Sequence, residues 1–93
     1  MDYTILTSSA HTSHQNDVQK DIVEVPRGEL PTQKLKVSVS IDKSYPQQTR
    51  AKVELWTPAG WTEVFTEVPE TCKGKSAEDV SDQLIATALL VIQ

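Results

Sequence analysis

His11 and His14, in His11-Thr12-Ser13-His14, are the first residues whose types and spacing could do chemistry. Three positions apart on a helical turn, two imidazoles can share a metal ion, as they do in helical zinc motifs. Neither a third ligand nor a general-base glutamate sits within the motif. The pair therefore reads as solvated histidines, and no metal is expected. Glu54, Glu63 and Glu67 form a second set, because on two facing strands a pair of them could meet as acid and base. Arg50 and Lys52 on the same hairpin would instead neutralise them as a solvated sheet face, which is the reading adopted. Cys72, in Glu70-Thr71-Cys72-Lys73-Gly74-Lys75, is a third candidate. A nucleophilic cysteine wants a histidine or similar base to hand, and none is signalled locally, so Cys72 reads as an incidental loop thiol. As the single cysteine, it also excludes an intramolecular disulfide. The three glycines, at 28, 60 and 74, build no phosphate loop, and no Gly-x-Ser-x-Gly elbow is present. The chain is accordingly read as non-enzymatic, with no catalytic residue and no cofactor.

Binding is better served than catalysis. In Trp56-Thr57-Pro58-Ala59-Gly60-Trp61 a turn is flanked by two large amphipathic rings, with Arg50 and Lys52 on the strand before it. Trp56, Pro58, Trp61, Arg50 and Lys52 are the candidate partner surface, since tryptophan and arginine anchor many protein interfaces. The competing reading packs both tryptophans into a core that has few other aromatics. Register decides between them. A type I turn with glycine after it gives a three-residue loop, pairing Thr57 with Trp61 and Val53 with Phe65. Trp61, Phe65, Val53 and Leu55 then share the core face and Trp56 points outward. A tighter two-residue turn pairs Trp56 with Trp61 and sends both to the other face.

The elements that must position these residues follow from periodicity. Leu35, Val37, Val39 and Ile41 alternate with polar residues, the mark of a strand with one buried face. Thr49 to Thr57 resumes the alternation with Ala51, Val53 and Leu55, after a polar loop containing Tyr45-Pro46, and Trp61 to Val68 is the returning strand. Asp2 to Thr7 could add a short strand, with Tyr3 and Ile5 on one face. Asp21 to Val25 fits either a strand or a helix begun at a Ser13 cap; the β-branched residues favour the strand. Residues 8–19 contain two apolar residues, Ala10 and Val18, and read as a mobile loop or arm. Ser76 is expected to cap a C-terminal helix whose stripe of Ala77, Val80, Leu84, Ala88 and Val91 covers the sheet. Leu89 and Leu90 lie off that stripe, so the helix end is apolar nearly all round. Leu89, Leu90 and Ile92 are the candidates for self-association. The predicted fold is a single α+β domain over 1–93: a small antiparallel β-sheet of three to five strands with one C-terminal α-helix packed on one face.

The element order from Lys34 onward, with a possible helix before it, resembles the α-β-β-β-α order of double-stranded-RNA-binding domains. Lys73-Gly74-Lys75-Ser76 ahead of a helix ending in Ala88-Leu89-Leu90 extends the likeness. That family follows the serine with a lysine pair that grips phosphates, whereas Ala77 and Glu78 stand here and Asp79 follows. The likeness is one of topology, and RNA binding is not carried over.

Charge points the same way. The net charge is −4, with residues 1–33 at about −3, residues 34–68 at about +1 and residues 69–93 at about −2. A nucleic-acid partner is disfavoured by that balance, because cationic side chains supply most non-specific affinity for phosphate. With 38% hydrophobic and 24% charged residues the composition is that of an ordinary globular protein. Leu84 to Ile92 is the longest nearly apolar run, far short of the roughly 20 residues that span a bilayer. No membrane association is expected, the start of the chain resembles no secretory signal, and the cytoplasm is the default compartment. The expectation is a small protein-interaction or accessory module, of the kind phages and mobile elements carry. It would act on an unidentified protein partner, with a homodimer as one arrangement. The alternative is a nucleic-acid-associated or nucleic-acid-mimicking protein.

Overall fold

The computed structural model describes residues 3–44 and 46–92. Asp2, at the start of the expected first strand, and Tyr45, in the expected polar loop, lie outside them. Five strands come first: β1 (Thr4–Thr12), β2 (Asn16–Arg27), β3 (Leu30–Asp42), β4 (Gln48–Thr57) and β5 (Gly60–Phe65). A single 3-10 turn at Glu70–Cys72 then leads to the helix α1 (Ala77–Val91). The strands lie in chain order in one sheet, each antiparallel to the next. The expected α+β fold is therefore present with five strands. The ambiguous segment around Asp21–Val25 is strand, so the arrangement opens on two strands and lacks the leading helix of the RNA-binding topology.

Residues 8–19 depart from the expected arm, since they supply most of β1 and the first part of β2. Their composition is too polar to bury, but ladder hydrogen bonds do not need apolar side chains, and β1 is exposed along its whole length. A local device turns the chain between them. Ser13 Oγ accepts from the backbone N–H groups of Gln15 and Asn16 at 3.3 and 3.0 Å, while Ser13 N–H donates to the Asn16 carbonyl at 2.8 Å. The other hairpins use comparable chemistry. Gly28 takes φ +65° at the first position of the β2–β3 turn, where a side chain would be strained. Asp42 Oδ1 accepts from both the N–H and the hydroxyl of Ser44 after β3, at 2.9 and 2.6 Å, and these bonds hold its carboxyl below the usual aspartate range.

Helix α1 packs across β2 and β3. Val23 and Val25 of β2, Leu35, Val37, Val39 and Ile41 of β3 and Val53 of β4 meet Ala77, Val80, Leu84, Ile85, Ala88 and Leu89 in one buried cluster. Ser76 caps the helix as expected, its hydroxyl accepting from Asp79 N–H at 3.2 Å. The buried stripe is wider than expected. Ile85 and Leu89 join it, while Val91 is 59% exposed. Leu89 is thus covered by the chain's own core and Ile92 packs partly against it, leaving Leu90 as the exposed member of the proposed self-association trio. Cys72, read as an incidental loop thiol, ends the 3-10 turn and is fully buried in the same cluster. Among the described residues no helix is long and apolar enough to cross a membrane.

Replacing Leu84 by alanine removes a fully buried side chain at the helix-sheet seam and should cost about 2–5 kcal/mol, whereas Leu90→Ala should stay within about 0.5 kcal/mol of wild type. Urea titration followed by circular dichroism separates the two; equal losses would refute this account of the core.

Candidate binding face

Helix α1 covers one side of the sheet and leaves the other open. The register fixes which side chains stand there. His11, Val18, Ser40 and Arg50 form one cross-strand row; Ser9, Lys20, Ser38 and Lys52 the next; Thr7, Ile22, Lys36, Glu54 and Glu63 a third. Trp56 and Trp61 pair directly on the same face beyond these rows. Trp61 is therefore not on the core face. The turn is the tighter one, with Thr57 opposite Gly60 and Pro58-Ala59 between them, and Gly60 at φ +99°. Val53 still pairs with Phe65 because the register shifts between Val53 and Glu54, leaving Val64 as an extra residue in β5. That bulge lets Phe65 face the core while both tryptophans face away from it.

The two indoles meet edge to face, 5.2 Å between centroids, and Lys36 Nζ lies 4.8 Å from the centre of Trp61. Lys36 also stands 3.8 Å from Glu54. Trp61 is half-buried by these neighbours, whereas Trp56 is 53% exposed. Pro58 lies in the turn at the same end.

Ser38 and Ser40 are short side chains between longer ones. Together with Val18 and Lys20 of β2 and Arg50 and Lys52 of β4 they line a shallow trough of about 240 Å³. Strand spacing makes such a trough roughly 10 Å across, and Arg50 and Lys52 lie about 7 Å apart along their strand. Among the described residues Lys20, Lys34, Arg50 and Lys52 make no ion pair, the two salt bridges being Lys36–Glu54 and Lys43–Asp17. Lys20, Lys34, Lys36, Arg50 and Lys52 thus set five of the chain's nine basic side chains on this face, against Glu24, Asp42, Glu54 and Glu63. The candidates Trp56, Trp61, Arg50 and Lys52 are brought together on one surface.

The other candidates are dispersed. His11 lies on the open face opposite Val18, while His14 sits in the β1–β2 turn beside Asp42 and Lys43. Among the described residues no three His, Cys, Asp or Glu side chains are grouped as metal ligands. Glu54 and Glu63 do meet across β4 and β5, but on an open surface beside Lys36; Glu67 lies past the end of β5.

A buried polar cluster on the helix side was not anticipated. Asp21 is 4% exposed and accepts from Ser81 of α1 at 2.5 Å, from Ser8 of β1 at 2.5 Å and from Gln19 at 2.9 Å. Gln19 Nε2 also donates to Ser8 Oγ at 3.0 Å. The signal was available in Gln19 and Asp21 sharing strand parity with Val23 and Val25. These groups supply neither a base nor a cleft, and their effect is to fix α1 on β2. Asp82, on the next helical position, is raised above the ordinary aspartate range by burial and then by the charges of Asp21 and Asp79.

No known protein family, curated protein or solved structure matches the chain.

Asp21→Ala should cost about 2–4 kcal/mol by stranding the Ser81 and Gln19 donors, and Ser81→Ala about 1 kcal/mol because the carboxylate keeps its other donors. A double-mutant cycle in urea should show coupling between the two sites. Asp82 adds a pH term. Its native carboxyl binds protons more tightly than the unfolded one, so its contribution to stability falls as pH rises from the ordinary aspartate value through its raised native value. Asp82→Asn should raise the melting temperature at pH 7, with the gain vanishing below the ordinary aspartate value; a gain independent of pH would contradict this cause.

Proposed function

We propose that the protein is a non-enzymatic interaction module that takes an acidic, extended protein segment along the open face of its sheet and that self-associates. The observation that carries this reading is the trough between Lys20, Arg50 and Lys52, uncovered and without a salt bridge among the described residues, on the sheet face that also carries the paired tryptophans. Its cations can meet carboxylates spaced along a strand-like segment, and Trp56 offers an exposed ring for an apolar anchor. The unpaired Cys72 suits the reducing cytoplasm, where we place the protein.

A second reading has a specific observation in its favour. An exposed indole on the same face as a row of cations is also how sequence-tolerant sites hold single-stranded nucleic acid, by stacking on bases and neutralising phosphates. The chain's net charge of −4 weighs against it.

Tryptophan fluorescence separates the two. A glutamate-rich peptide containing one leucine or phenylalanine should shift the emission at low salt, less at high salt, and not at all with Arg50→Glu plus Lys52→Glu. Trp56→Ala should weaken binding at least tenfold while moving the melting temperature by only a few degrees. Binding of a thymidine oligonucleotide but not the peptide would transfer the site to the second reading, and no response to either probe would remove the trough from consideration.

A further inference from the structure

We infer that two copies of the chain pair antiparallel through β1, joining their sheets into one of ten strands; this rests on the self-association proposed above and assigns it a surface. β1 is an edge strand of nine residues, all exposed, whose outer backbone groups face no neighbouring strand. Exposed edges are ordinarily blunted with lysine, other charges or proline. The sequence Thr4-Ile5-Leu6-Thr7-Ser8-Ser9-Ala10-His11-Thr12 contains none of these, its one ionisable side chain being His11. A charge-free edge suits a second copy in particular, because the residue at the two-fold axis faces its own image and its neighbours stand close to theirs, so a charge there would meet a like charge.

The other apolar and edge features fit less well. At the helix end Leu90 and Val91 are 78% and 59% exposed, but Leu89 is 6% exposed and Ile92 is packed on the core, so the tip is narrow. At the far edge β5 has six residues, carries Glu63 and is bulged at Val64. A β1-to-β5 contact is head-to-tail and leaves free edges unless its rotation closes a ring, whereas β1 on β1 closes about a two-fold axis.

Register follows from the faces. The irregularity at Leu6, between Ile5 and Thr7, leaves Thr7–Thr12 as the straight part of the edge. Residues directly opposite in an antiparallel pair point to the same side and share the same hydrogen-bonding phase, so the two-fold axis passes between two copies of one residue and both helices lie on one side of the joined sheet. Centred on Ser9, the pairing sets Ser9 against Ser9, Ser8 against Ala10 and Thr7 against His11. Both open faces then join into one continuous surface, with the two Lys20 rows flanking the seam.

Light scattering behind size-exclusion chromatography should give twice the 10.3 kDa chain mass, with dissociation on dilution. Ser9→Glu and Ser9→Lys should each be monomeric, and an equimolar mixture should recover the dimer mass. Ser9→Cys supplies a test that survives poor folding of the charged variants. Identical residues facing across such a pair lie within disulfide reach, so it should oxidise to a covalent dimer while Gln15→Cys, in the turn, does not. Cys72, being buried, should not compete. A wild-type monomer at every concentration, a dimer indifferent to both charges at Ser9, or a dimer lost with Leu90→Glu alone would each overturn the assignment. Peptide binding by the monomeric variants would show the open-face reading standing without the dimer; its loss in Arg50→Glu plus Lys52→Glu with mass unchanged would show the dimer standing alone.

Discussion

The seating of α1 on β2 and β3 is the constraint from which the rest of the molecule follows. Val80, Leu84, Ile85, Ala88 and Leu89 are removed from water against Val23, Val25, Leu35 and Val37. Each of the larger side chains contributes roughly 1.5–3 kcal/mol by that burial. Apolar contact alone is tolerant of sliding, because a helix shifted by a turn finds similar neighbours. The Ser81 to Asp21 hydrogen bond is not tolerant in this way: displacing the helix would leave a buried carboxylate without that donor. The apolar seam holds the helix down and the polar contact fixes where it lies.

With one helix for five strands, coverage is necessarily partial. The helix shields the middle of one face, so β2 and β3 carry most of the sheet's buried residues while β1 has none. The opposite face has no layer upon it. Small serines on β3 with cations to either side are therefore not an incidental surface; they shape the central strip of the only sheet side the described residues leave uncovered. β1 is uncovered on both faces and along its edge, and what fixes it to the body is the ladder with β2 and the Ser8 hydroxyl on Asp21. The same carboxylate thus anchors the helix from one side and the edge strand from the other.

Alternation was sufficient to read β3 and β4, because each sets apolar residues against polar ones at a fixed period. It failed at β1 for a physical reason: a strand exposed on both faces has no apolar row to reveal it, and ladder hydrogen bonds leave no trace in side-chain composition. At the Trp56–Trp61 hairpin the difficulty was different. Val53–Phe65 pairing and Trp56–Trp61 pairing look incompatible on a regular ladder, and both hold only because Val64 is bulged. The expected stripe leaves out Ile85 and sets Leu89 off it, yet a sheet is broad enough to bury about half of a helix's circumference. Of the binding candidates, Arg50, Lys52 and Trp56 were identifiable from strand parity, whereas the trough required knowing that Ser38 and Ser40 stand between β2 and β4.

Net charge is a poor guide to this protein because its charges are segregated by face. Residues 69–93 hold Glu70, Glu78, Asp79 and Asp82 against Lys73 and Lys75, and α1 carries no basic residue in its last turn. The open face holds five cations against four acids, a balance of the opposite sign to the chain's. An acidic ligand approaching at physiological ionic strength responds to charges within about 8 Å, less than the distance through a helix-on-sheet layer, so the acidic helix screens little of the basic trough. An overall acidic chain can in this way stay soluble and still present one cationic side. The physical consequence is directional: the potential is more favourable to anions over the face that carries Trp56 than over the one that carries α1.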